Sequence, residues 1–325
     1  MLEFPRLAPR DFRLYLFGLK SKTAKTNLEL DGHLATLFEM QTDEKDEFYA
    51  QLPYPTDPEP VPAAPTPNNP PWSSGEAFGA WFVSVLCILF IPSIFLLPYL
   101  LMQDFSISDS NELAKFATND MVAIIIQLLA ILPAHLLTIV VAWFIVTRRK
   151  FDFREMLGWQ SGGFRWWHYL IILGLFFVTA AVVGSFFPEK ENELIRILRS
   201  SRAAVFAVAF VATVTAPFVE EVIYRGVLYS AFQRTFGTAA GFILVTLLFA
   251  LVHVPQYWPS FSTIFLLTLL SVILTSVRLY SNNLWPCIVL HTIFNGFQSI
   301  LLIIEPYVPK PATSEQAIAL VNFVQ

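Results

Sequence analysis

Glu220 and Glu221 stand side by side in a stretch almost free of charge. Between Ala203 and Ile304 the other formally charged residues are Arg225, Arg234 and Arg278. A charged side chain at membrane depth costs about 2.5–3.5 kcal/mol on insertion scales, so a chain that keeps two adjacent carboxylates there is expected to use them. Three pairs recur at a spacing of four residues: Glu221 with Arg225, Phe249 with His253, and His291 with Asn295. Residues four apart share one helix face, and the affordable direction for polar groups in a bilayer is inward. Glu220 lies about 100° around the helix from Glu221, so the two carboxylates take different roles. Arg225 can hold Glu221 ionised. Glu220 has no partner on its own helix and must look to His253 or His291. A desolvated, unpaired carboxylate suits proton transfer near neutral pH. A histidine beside it can help position a water, and His291 and Asn295 offer N–H groups to a developing oxyanion. Together these groups could hydrolyse an amide bond. Phe249 reads as packing, His135 as a buried hydrogen-bonded residue and His168 as an interfacial one.

The elements that must hold these residues are transmembrane helices. The 325 residues are 55% hydrophobic and 14% charged, with 31 Phe; an ordinary soluble domain is about 25% charged. The depletion begins near Gly79. Apolar segments near 78–102, 121–147, 166–187, 203–224, 238–253, 262–280 and 284–304 predict an all-α, polytopic bundle of about seven spans. The fourth is expected to continue as an amphipathic helix to about Phe236. Pro92 and Pro98 are expected to kink the first, and Gly237 and Gly241 read as a site of close helix packing. Before the bundle, residues 1–50 form a charged segment whose Phe4, Leu7, Leu14, Phe17 and Leu19 could line one surface-lying face. Residues 51–75 form a proline-rich linker, read as an extended spacer that could also dock a proline-binding module. The transmembrane domain is placed at 76–305 and a tail at 306–325.

Arg6, Arg10 and Arg13 interrupt any leader-like apolar run, so the first span is expected to act as the insertion signal. Arg148, Arg149, Lys150, Arg154 and Arg165 put the 148–165 loop, and with it the N-terminus, on the cytoplasmic side. The 188–202 loop, with Lys190, Arg196, Arg199 and Arg202, argues the other way. A net charge of −4 without a basic tract gives no sign of a nucleic-acid partner. Cys87 and Cys287, both in apolar runs, read as packing residues.

Glu-Glu-x-x-x-Arg at 220–225, Phe-x-x-x-His at 249–253 and His-x-x-x-Asn at 291–295 resemble the three motifs of the CPBP intramembrane proteases. That group includes the type II CAAX prenyl endopeptidases and the bacteriocin-processing or immunity (Abi) proteins. The resemblance covers roughly 120–305, most specifically 215–300, and leaves the N-terminal extension unexplained. It implies an α-helical membrane endopeptidase in which Glu220 activates water with help from His253, His291 and Asn295 form the oxyanion hole, and Glu221 and Arg225 support the site. The expected partners are the lipid bilayer and a membrane-associated protein or peptide substrate, with no partner identified for the extension. The location suggested by analogy is a bacterial inner membrane. No His-Glu-x-x-His zinc pair occurs and no cofactor is expected; if these proteins' widely used metalloprotease label applied, Glu220, His253 and His291 would be the ligands. The alternative function is a non-catalytic membrane scaffold or immunity-type protein of the same fold. A transporter would want charges along a path and internal repeats, and neither is seen.

Overall fold

The computed structural model describes residues 64–103, 110–188 and 193–307. In chain order its helices are α1 (Ser74–Leu100), α2 (Ser110–Asn119), α3 (Met121–Thr147), α4 (Phe153–Leu157), α5 (Trp166–Phe186), α6 (Glu193–Ser200), α7 (Arg202–Phe236), α8 (Thr238–Tyr257), α9 (Phe261–Ser281) and α10 (Trp285–Ile304). Seven of these, α1, α3, α5 and α7 to α10, are long and apolar enough to cross a membrane. That is the number read from the hydropathy. The first fifty residues, the linker up to 63 and the tail beyond Tyr307 lie outside the described residues.

Local chemistry sets the boundaries. Ser73, Asp120, Asp152 and Ser201 each accept a backbone N–H of the first turn that follows, and so cap α1, α3, α4 and α7. At Ser73 the cap is reciprocal, because the Glu76 carboxylate returns to the Ser73 N–H. Gly158 ends α4 at φ 73° and Asn282 ends α9 at φ 54°, a left-handed conformation suited to Gly and Asn. The fifth span runs four residues further than the sequence predicts. Pro255 falls in its last turns, so His253 sits within the helix and not at its end. A Cβ at Gly241 would come within 2.7 Å of the Gln233 backbone nitrogen, so the close packing expected of Gly237 and Gly241 holds at Gly241 alone; Gly237 has open space beside it and a φ of 86°.

α7 carries both glutamates and is not a regular α-helix. It widens into π turns at Val211–Thr215 and Val222–Leu228, and the short α-helical piece Ala216–Glu221 lies between them. Pro217 explains the first. In that turn Ala216 donates five residues back, to Val211 O. Residue 217 would serve Ala212 O in the same register, but proline has no N–H to give.

Two apolar clusters surround this helix. One gathers Val222, Ile223, Val227, Leu228 and Tyr229 of α7 with residues of α1, α3, α4 and α8; the other joins Leu173 and Phe176 of α5 to α9 and α10. Phe90, Phe95, Leu136 and Val178 remain more than half exposed, as side chains facing lipid should be.

The proline-rich segment is no free spacer over its final residues. Trp72 is fully buried and its indole N–H donates to Val227 O at 3.0 Å, inside the second π turn. Arg278 donates to Pro67 O (2.9 Å), Gln233 to Asn68 O (3.2 Å), and Arg234 to the carbonyls of Pro70 and Trp72. A proline-rich strand has few N–H groups to offer, but its carbonyls are free, and long polar side chains at the end of the bundle take them. This end also holds the 148–165 connection: Arg148 and Arg149 pair with Glu76, and Gly158 O accepts from Leu284 N–H. Cys87 and Cys287 are buried with free thiols.

Candidate active site

The adjacent carboxylates occupy opposite environments. The Glu221 side chain is fully buried, whereas Glu220 keeps a quarter of its surface and lines a cavity of about 460 Å³. His253, His291 and Asn295 line the same cavity, as do Phe249 and Tyr224. Other cavity walls are Leu194, Ile195 and Leu198 of α6 with Tyr257 and Thr263. The cavity therefore runs toward the end of the bundle where α6 and the 257–260 turn lie, away from the Trp72 end.

His291 joins the two glutamates. Its Nδ1 lies 2.9 Å from Glu221 Oε1 and its Nε2 lies 4.0 Å from Glu220 Oε2. Because a carboxylate only accepts, His291 Nδ1 carries the proton of that bond. Glu221 Oε1 also accepts from Arg225 Nη1 at 2.9 Å. Arg225 also donates to Ser271 O (3.1 Å), Ser271 Oγ (2.8 Å) and Thr275 Oγ1 (3.4 Å), and the guanidinium stands 4.8 Å from the Phe249 ring centroid. This buried cation is thus paired, hydrogen-bonded and faced by an aromatic ring, the conditions under which burial of charge is sustainable. Phe249 does more than pack: its ring contacts the guanidinium on one hand and the His253 ring, 4.7 Å away, on the other.

His253 and Asn295 are anchored through main-chain oxygens. His253 Nδ1 is 2.7 Å from Phe249 O; a carbonyl only accepts, so Nδ1 is protonated and the Nε2 of neutral His253 holds a lone pair. Asn295 Nδ2 donates to Ala212 O at 2.8 Å, the carbonyl that Pro217 cannot serve, which leaves one amide N–H for another acceptor. The structure thus joins Glu221, Arg225 and His291 by hydrogen bonds, sets Glu220 4.0 Å from His291, and places His253 and Asn295 on the cavity wall beside them.

Among the described residues no three His, Cys, Asp or Glu side chains converge as ligands, which includes the trio Glu220, His253 and His291.

Four contributors escaped the motif reading. Ser271 and Thr275, hydroxyls four apart in an apolar span, meet the buried Arg225 guanidinium. Pro217, three residues before Glu220, follows the first π turn. His135 was read only as a buried hydrogen-bonded residue. It is one, with Nδ1 2.9 Å from Thr215 Oγ1, but it also lines the cavity. His168 caps the start of α5, accepting from Arg165 N–H at 2.8 Å and stacking on Trp167, well apart from this cluster in the chain.

Comparison with known proteins agrees with the motifs. Residues 202–297 match the family model for Rce1-like, type II CAAX prenyl endopeptidases. The match opens at the start of α7 and closes two residues after Asn295, so it contains all six site residues. No curated protein and no solved structure matches the chain.

Proposed function

From this match to the type II CAAX prenyl endopeptidases, we propose that the chain is an intramembrane endopeptidase that hydrolyses a peptide bond in a membrane-associated protein or peptide. The observation that carries the reading is the contrast between neighbours. Glu220 faces a cavity beside His291, while Glu221 is buried and committed to Arg225 and His291. Glu220 takes a proton from a water in the cavity as the water oxygen attacks the scissile carbonyl carbon. The lone pair of His253 Nε2 accepts the water's other O–H and orients it. The new oxyanion accepts from the spare Asn295 N–H and from His291 Nε2–H. That last donor takes a second ring proton on His291, because its Nδ1–H already serves Glu221. As the C–N bond breaks, Glu220 returns its proton to the leaving nitrogen, giving an amine and a carboxylic acid. Arg225 holds Glu221 in place throughout. No step needs a metal. The protein resides in a membrane, by analogy a bacterial inner membrane, with its N-terminus on the cytoplasmic side.

Glu220→Gln keeps the size of the side chain and removes the base. Comparing membrane-protein termini by mass spectrometry, in cells expressing wild type and this variant at equal levels, should reveal new termini with wild type alone. Those termini should persist in membranes treated exhaustively with a chelator. Identical termini from two folded, abundant proteins would replace the protease reading with a scaffold or immunity-type one.

A further inference from the structure

His135 stands on α3, outside the matched segment, yet it shares the cavity with Glu220. Its Nδ1 lies 2.9 Å from Thr215 Oγ1. With the Thr215 hydroxyl proton on Val211 O, 3.2 Å away, Thr215 Oγ1 accepts from His135 Nδ1–H. In neutral His135 the other ring nitrogen, Nε2, therefore holds a lone pair. The ring lies within electrostatic reach of Glu220.

A peptide group is both an acceptor and a donor. The His291 and Asn295 side of the cavity supplies N–H groups, which serve the substrate carbonyl. A substrate N–H brought into an apolar cavity also needs a partner, because leaving it unpaired is costly. Glu220 and His253 are occupied with water. His135 offers an acceptor from a different helix. We propose that His135 is a substrate-binding residue of this site, its Nε2 accepting a main-chain N–H beside the scissile bond and so turning the scissile carbonyl toward His291 and Asn295. The inference rests on the endopeptidase reading above.

The test uses full-length protein in lipid vesicles and a synthetic peptide copying the Glu220-dependent cleavage site. His135→Asn keeps a donor for Thr215 at the position of Nδ1 and removes Nε2. It should raise KM about tenfold, the worth of one hydrogen bond, with kcat changed less. Thr215→Val, which removes the hydroxyl and leaves the ring, should cost clearly less. Peptides N-methylated at single residues around the scissile bond complete the experiment. One methyl group should weaken cleavage by wild type about tenfold and add nothing in His135→Asn. Wild-type kinetics in His135→Asn, or equal damage from Thr215→Val, would overturn the proposal and leave His135 a packing residue. A readout free of turnover comes from ¹⁵N-histidine spectra: the resonances missing in His135→Asn should be a protonated Nδ1 and a bare Nε2, and a protonated Nε2 would refute it. If Glu220→Gln cleaves as wild type does, the endopeptidase reading itself has failed, a result distinct from any involving His135.

Discussion

At the scale of single residues, the molecule separates two chemically identical side chains by environment. Glu220 keeps access to a cavity; Glu221 has none, and its Oε1 serves both Arg225 and His291. Among the described residues its Oε2 has no hydrogen-bond partner, so the carboxylate is held from one side only. Glu221→Ala would strand the Arg225 guanidinium in a dry interior. The expected loss is about 3–5 kcal/mol of stability, seen as reduced folded yield and a lower Tm in detergent. An unchanged Tm would mean that water reaches the pair. The four-residue spacing made this pair legible in the sequence, as it did the faces of His253 and His291. It could not show that His291 would bridge both glutamates, because that depends on the relative rotation of α7 and α10. Nor could it place Ser271 and Thr275 around Arg225, since hydroxyls in apolar helices ordinarily bond their own backbone.

At the scale of elements, α7 was legible as one long span continuing to Phe236, and the other spans fell within a few residues of their hydropathy boundaries. Its two π turns were not. Hydropathy reports burial, and a widened turn leaves the pattern of apolar residues almost unchanged. The break ties α10 to α7 through Asn295 and Ala212 O, and that bond gives Asn295 a second duty beside the proposed oxyanion one. The duties can be separated. Asn295→Ala should cost about 1 kcal/mol by leaving a part-buried carbonyl without a donor, and it should also reduce turnover. Adding Pro217→Ala restores an N–H that can reach the freed carbonyl, so stability should recover in part while activity should not. Recovery of both in the double variant would reduce Asn295 to a helix tie.

At the scale of the whole molecule, composition was enough for the seven-span bundle, but it misjudged where the fold begins. Nine of the nineteen residues from Pro53 to Pro71 are proline, and that composition reads as a spacer. Yet Trp72 closes the core and the carbonyls just before it are bound by α7 and α9. The reason is physical: a segment that cannot build a core can still be an acceptor strip for one. Trp72→Ala should lower stability by about 3–5 kcal/mol, measured as a fall in Tm, although Trp72 touches α7 beyond the glutamates. A near-normal Tm would make the segment a passive tether after all. The chain's two cysteines, each enclosed within the bundle, have a consequence of a different kind. To a water-borne thiol reagent the molecule is close to blank, so a cysteine introduced in place of Gly163 or Trp258 would be a lone beacon at one end or the other. Which beacon a membrane-impermeant maleimide finds on intact cells would show whether the cavity draws its substrates from the cytoplasm or from the world outside.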